Sequence, residues 1–166
     1  MLIYLLMTLV MVSVAVFMEF EAEFLHRRVW HGRLWFIHKS HHKPRREGRF
    51  ETNDILSFVH APIAIFLIFF AVFSPYGILS AQLGLVEVLA FSVGLGMTAF
   101  GLGYIMVHDG LVHERLPFGF LGKISYFDEV RKAHWTHHRW KDEGHSFGLF
   151  LGPRVLRRRR EKVVKD

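Results

Sequence analysis

Cysteine is absent from the 166 residues. That excludes disulfide frameworks, thiolate nucleophiles, iron–sulfur clusters and sulfur-ligated zinc, so any bound metal must be held by nitrogen or oxygen. Polarity is also in short supply. Only 22% of the residues are charged against 51% apolar, which excludes disorder and is too greasy for an ordinary soluble domain, while the length excludes a two-domain enzyme. The formal charge is +6, but the basic residues lie between apolar runs, a pattern that fits an anionic membrane face better than nucleic acid.

Three stretches nearly lack charge: residues 2–20, 56–76 and 84–107. Each is long enough to cross a hydrocarbon core that needs about 20 residues. The first has no basic leader or small-residue cleavage site, so a retained membrane anchor is expected rather than a cleaved signal peptide. The link 74–83 carries no charge, whereas segments 26–49 and 132–165 are rich in Lys and Arg. The positive-inside rule therefore puts both basic segments in the cytoplasm. Two crossings between residues 55 and 107 return the chain to the side it left, so parity predicts three spans with the amino terminus outside. Four spans result if residues 76–107 break into a re-entrant pair, which their glycines allow. The expected fold is an all-α integral membrane protein, a single membrane-embedded domain over residues 1–166.

The chain is rich in one residue: twelve histidines. Ten of them form four groups, His26-x4-His31, His38-x2-His41-His42, His108-x4-His113 and His134-x2-His137-His138. A His-x2-His-His triplet is expected by chance about 0.06 times at this histidine frequency, and it occurs twice. On a helix, positions i, i+3 and i+4 share a face, so each triplet can aim three imidazoles at a common centre. Members of an i, i+5 pair are turned by about 140° at ~100° per residue, so they serve different metals or sit where a helix loosens. The order pair, triplet, pair, triplet is an internal repeat of chemistry, with the second and third spans inserted between its halves. It implies two metals sharing ten nitrogens, in a helical cap on the cytosolic side. His60, within the second span, and His145 match no group. The first reads as a polar helix contact or channel residue, the second as a group that orients a neighbour.

Imidazole suits zinc, copper, iron and nickel, so ligand type alone does not choose the metal. Ten histidines exceed what two four-coordinate zincs use, and five nitrogens per metal leave a sixth octahedral position for oxygen or water. Two redox irons with open positions can activate dioxygen. A haem protein needs only one or two axial ligands per haem and leaves most of these histidines unexplained.

These spacings resemble the membrane fatty acid hydroxylase and sterol desaturase superfamily. The flanking words Pro44-Arg45, Phe50-Glu51-Thr52-Asn53-Asp54, Met106-Val107-His108-Asp109-Gly110-Leu111-Val112-His113 and Ser146-Phe147-Gly148 are similar to those of its bacterial β-carotene hydroxylases. The resemblance covers roughly residues 15–152. It implies a non-haem di-iron monooxygenase of the bacterial inner membrane that adds a hydroxyl at carbon 3 of each β-ionone ring, turning β-carotene through β-cryptoxanthin into zeaxanthin. It also implies dioxygen as cosubstrate, a ferredoxin-type electron donor, and the ten motif histidines as iron ligands, with no catalytic side chain beyond them. Asp109, Asp54 and Asp128 lie close in sequence to these histidines and are candidate acceptors for the outer ring N–H, which would fix the tautomer.

Stepping back from His108 by turns of the third span gives Tyr104, Gly101, Met97 and Gly94, with Gly96 and Gly103 flanking. Such a stripe could be a groove that admits a rigid polyene from the bilayer, or it could be close helix packing through small residues. The run 157–160 of four arginines, with Arg45, Arg46 and Arg49, makes a basic cytoplasmic surface whose ordinary role is topology and contact with anionic lipid. An acidic electron carrier could dock there by charge complementarity. Nucleic acid is not expected, since no aromatic platform accompanies the arginines. Two alternatives remain at this level. One is a lipid or sterol hydroxylase or desaturase. The other is a membrane metal transporter, which would place its ligands near the bilayer midplane, where only His60 lies.

Overall fold

The computed structural model describes residues 1–43, 50–139 and 147–163, with no side-chain description for Ser57 or residues 158–163. His145, Pro44, Arg45, Arg46, Arg49 and Ser146 lie outside the described residues, as do the side chains of the arginines at 158–160. Among the described residues there are helices and turns and no strand.

The chain folds into two compact units, each drawn from two separate stretches. The first comprises Met1–Met18 and Asp54–Leu102. It holds most of α1 (Leu2–Leu25), α3 (Asp54–Phe58), α4 (His60–Phe73) and nearly all of α5 (Leu85–Tyr104). These helices have almost no polar face, and their large apolar side chains point outward: Leu5, Leu9, Ile65, Phe66 and Phe69 are each at least 60% exposed. A helix apolar on all sides is stable only where the surroundings are also apolar, which is the condition of a bilayer. Three helical segments are long and apolar enough to cross a membrane: Leu2–Arg33, Asp54–Phe73 and Leu85–Val112. The third runs on without a break, so the stretch 84–107 is one span and the re-entrant pair does not form. His60 sits half-buried at the start of α4.

Glycines decide how closely the helices of this unit approach. A Cβ at Gly94 would lie 2.7 Å from Ile68 Cγ1 and 3.1 Å from the Ala64 carbonyl, and one at Gly96 would lie 2.6 Å from the Met11 carbonyl. Both positions are therefore used for backbone-to-helix contact, the ordinary role of small residues between membrane helices.

The second unit comprises Glu19–Asn53 and Gly103–Asp166. Here α1 continues into a π-helical stretch, π1 (His26–Arg33), then a kink at Gly32 (φ −100°, ψ −111°) and the short α2 (Trp35–His38). Likewise α5 continues into π2 (Ile105–Val112). A 3₁₀ turn (Gly119–Lys123) leads to α6 (Ser125–Arg139), and α7 (Gly152–Val163) follows. The α6 helix packs against π2, the 3₁₀ turn and α7. Its sequence is amphipathic, with Val130, Ala133, His134 and His137 on the buried face. Val107, Leu111, Val130 and Leu149 form the apolar core, flanked by Tyr104, Leu121, Phe127 and Phe150.

Candidate metal centre

All ten motif histidines belong to the second unit, and their rings gather in two groups. Ring nitrogens of His26, His31, His38, His42 and His137 all lie within 4.8 Å of one another, and so do those of His41, His113, His134 and His138. His108 joins the second group through its Nε2, 3.1 Å from Nε2 of His41.

The i, i+5 pairs come together because the helix loosens beneath them. In π1 the Leu34 N–H donates to the Val29 carbonyl at 2.9 Å, and in π2 the His113 N–H donates to the His108 carbonyl at 3.0 Å. An i→i+5 bond stacks residues five apart almost directly above one another, as π-bulges often do at functional sites. The ring centroids of His26 and His31 are consequently 5.1 Å apart and those of His108 and His113 4.6 Å apart. Regular α-helix would have pointed the members of each pair away from each other.

The triplets do not converge as the spacing suggests. His38 and His42 enter the first group while His41 enters the second, and His134 and His138 enter the second while His137 enters the first. On a helical turn i and i+4 differ by about 40°, whereas i+3 and i+4 differ by about 100°. One triplet can thus face two centres, with the i, i+4 pair on one and the i+3 residue on the other. The two triplets divide in the same way, which interlocks the groups.

The outer nitrogens are tied to oxygens. Nδ1–H of His26 donates to the Phe147 carbonyl at 2.8 Å, that of His38 to Asn53 Oδ1 at 2.6 Å, that of His41 to Glu51 Oε1 at 2.9 Å and that of His108 to Asp109 Oδ1 at 2.8 Å. An oxygen acceptor fixes the proton on Nδ1 and leaves the lone pair on Nε2. Burial, reinforced in each case by neighbouring imidazoles, draws His41, His113, His134 and His137 well below the ordinary histidine range. It lowers His38 to about 4, a shift that its hydrogen bond to Asn53 opposes. Neutral His38 and His41, with their Nδ1 protons held outward, therefore turn Nε2 lone pairs inward.

Each faces a second ring. His26 Nε2 and His38 Nε2 are 3.0 Å apart, and His41 Nε2 and His108 Nε2 are 3.1 Å apart. With Nδ1 of all four rings bonded to an oxygen, the paired Nε2 atoms stand where adjacent ligands of one cation would. Other ring contacts in the groups fall in the same range: His134 to His138 at 2.9 Å, His31 to His137 at 3.2 Å and His113 to His134 at 3.3 Å. Adjacent ligands on one metal with bonds of about 2.1 Å stand roughly 3.0 Å apart at right angles. The donor set therefore fits two imidazole-bound cations. His137 Nδ1 is buried with no hydrogen-bond partner among the described residues. Trp30 and Phe147 pack on the rings of the first group, and Tyr104 stacks on His108 at 4.7 Å, which shields the nitrogens from water.

Comparison with known proteins agrees with this geometry. The fatty acid hydroxylase family model matches residues 8–153. The chain belongs to the fatty acid hydroxylase family. This family member is 48% identical over 145 residues to a protein of Arabidopsis thaliana named beta-carotene 3-hydroxylase 1, chloroplastic, a match covering 87% of this chain and 44% of that one. It is 40% identical over 138 residues to the beta-carotene hydroxylase of Pantoea ananas, covering 82% and 71% of the two. A Gentiana lutea protein named beta-carotene 3-hydroxylase, chloroplastic, is 47% identical over 145 residues, 87% of this chain and 42% of that one. The chain thus spans less than half the length of the plant relatives it matches. No solved structure matches it.

The other residues singled out in this sequence separate cleanly. Asp109 accepts from His108 as expected. Among the described residues Asp128 does not meet a histidine: it lies in the first turn of α6, where Arg131 and Lys132, three and four residues on, each hold it at 2.5 Å. Asp54 opens α3, and in the same segment Asn53 reaches His38 and Glu51 reaches His41. Asn53 and Glu51 both lie in the word 50–54, where no local period marks them as partners of a histidine. The proposed stripe divides as well. Gly94 is filled by Ile68, whereas nothing lies within 4 Å of a Cβ at Gly101. Met97 is half-buried, and Tyr104 covers a histidine ring.

Proposed function

We propose that the chain is a non-haem di-iron monooxygenase that hydroxylates carbon 3 of β-ionone rings, converting β-carotene through β-cryptoxanthin to zeaxanthin. His26, His31, His38, His42 and His137 would hold one iron, and His41, His108, His113, His134 and His138 the other. The observation that carries this reading is the pair of Nε2-to-Nε2 contacts, His26 to His38 at 3.0 Å and His41 to His108 at 3.1 Å, between rings whose Nδ1 atoms are each bonded to an oxygen. Family membership and the carotene hydroxylase names of relatives at 40–48% identity favour a carotenoid over an acyl or sterol substrate.

When bound, the irons would supply dioxygen activation and the oxidising power to replace a ring C–H with C–OH, chemistry that no side chain here offers. One oxygen atom would enter the substrate and the other leave as water, with two protons from solvent and two electrons delivered one at a time by a ferredoxin-type donor. The residues set the stage. Phe147, Asn53, Glu51 and Asp109 hold four imidazoles in one tautomer and orientation. Trp30, Phe147 and Tyr104 keep the nitrogens dry. Gly101 offers space beside the helix that ends in Tyr104. The Lys and Arg excess in segments 26–49 and 132–165 supports a membrane orientation with the histidines on the cytoplasmic face, and the Pantoea ananas relative favours a bacterial cell membrane.

Expression in a β-carotene-producing bacterium, followed by pigment chromatography, tests this. β-Cryptoxanthin and zeaxanthin are expected, with about two irons per chain by elemental analysis. Unchanged β-carotene, with the protein in the membrane and iron supplied, overturns it.

A further inference from the structure

Arg115 stands two residues past His113 and carries no metal-ligating group, yet it connects the second histidine group from behind. Its backbone N–H donates to the Asp109 carbonyl at 2.7 Å. The chain folds back this far because Glu114 takes the left-handed conformation (φ 53°). The guanidinium then pairs through Nη2 with Asp109 Oδ1, and its Nη1 lies 3.4 Å from Glu51 Oε1. Its side chain is only 11% exposed. Each of the two carboxylates also accepts an Nδ1–H, Glu51 from His41 at 2.9 Å and Asp109 from His108 at 2.8 Å. A continuous chain of contacts therefore runs His41, Glu51, Arg115, Asp109, His108, and its two ends face each other at 3.1 Å.

Two carboxylates drawn behind one pair of imidazoles repel each other unless a cation lies between them. A planar guanidinium can satisfy both in fixed directions, which an ammonium cannot do with the same geometry. We propose that Arg115 is a positioning residue of the second histidine group: it clasps Glu51 and Asp109 together so that His41 and His108 present their Nε2 atoms to one cation. This rests on the metal-centre reading above.

The test uses the full chain in detergent, stripped of metal and titrated with cobalt(II), followed by visible absorption and elemental analysis. Two cobalt ions are expected for the unaltered chain. Arg115→Gln is expected to bind one ion as before and the other about 10- to 100-fold more weakly, the range for loss of an outer partner of a ligating histidine. Adding Glu51→Gln to that variant removes the repulsion while leaving an amide oxygen for His41, so most of the lost affinity returns. A residue that merely filled space would not be rescued this way. Two tight ions in Arg115→Gln, or no recovery in the double variant, overturn the proposal. If Arg115→Gln fails to accumulate, Arg115→Lys is read the same way, with an intermediate loss expected and undiminished binding overturning it. An unaltered chain that binds neither cobalt nor iron defeats the metal-centre reading itself, and the role of Arg115 with it.

Discussion

Asn53 accepts a 2.6 Å hydrogen bond from Nδ1 of His38, a ring whose Nε2 lies 3.0 Å from that of His26 and 3.2 Å from that of His42. Both residues are almost fully buried, at 2% and 1% exposure. The amide oxygen thereby decides which nitrogen of His38 faces the centre. Asn53→Leu removes the acceptor and frees the ring to flip. Iron should fall from about two per chain toward one and conversion to zeaxanthin should drop about 10- to 100-fold, measured by elemental analysis of the purified protein and pigment chromatography.

His137 is fully buried and belongs to the first group, although its triplet neighbours His134 and His138 serve the second. His137→Ala should lower conversion by more than about 100-fold, a larger effect than loss of an outer partner. His60→Ala, at the start of α4 and in neither group, should leave conversion within a small factor of the unaltered chain. Full activity in His137→Ala would be incompatible with the proposed ligand set.

Gly94 and Gly101 lie seven residues apart on one helix and should respond differently to bulk. A Cβ at Gly94 meets Ile68 Cγ1 at 2.7 Å, so Gly94→Leu overpacks the helix contact. It should destabilise by about 1–3 kcal/mol or more and lower the amount of protein in the membrane. Gly101 has nothing within 4 Å of its Cβ position, so Gly101→Leu should accumulate and bind metal normally while turnover drops. Normal turnover in that variant would argue against a substrate groove at this position.

Acid should loosen the metal-free histidine unit. Burial lowers His38 to about 4 and draws His41, His113, His134 and His137 below the unfolded value of 6.5. As pH falls below about 6.5 the unfolded chain takes up protons that the folded rings refuse, so stability decreases with falling pH. Thermal unfolding in detergent should be nearly flat above pH 7 and drop steadily between about pH 6.5 and 4. Bound metal should shift the loss to lower pH, because protons then compete with the cation for Nε2.

Much of this protein is written locally. The three spans follow from runs of apolar side chains that no aqueous fold could cover, and the uncharged link 74–83 against basic flanks orders them. The histidine spacing marks ten imidazoles as candidate metal ligands, because rings at i, i+3, i+4 and i+5 have no common structural purpose. Asp109 was findable for the same reason, as a neighbour of His108. Asp128, six residues before His134, sits at the start of α6 and answers instead to the cations one turn on.

The sequence by itself determined which helices exist and which side chains are candidate ligands, since both depend on composition and period within a single segment. Only the tertiary structure decided how the ten rings divide, through the π-turns at His26–Arg33 and Ile105–Val112 and the split of each triplet between two centres. It also brought Glu51, Asn53, Phe147 and Arg115 behind the rings. Those pairings join residues as much as 121 positions apart, His26 to Phe147 among them. Such contacts exist only once the helices have packed, because a hydrogen bond between distant segments is specified by the fold that closes the loop between them and by no local pattern.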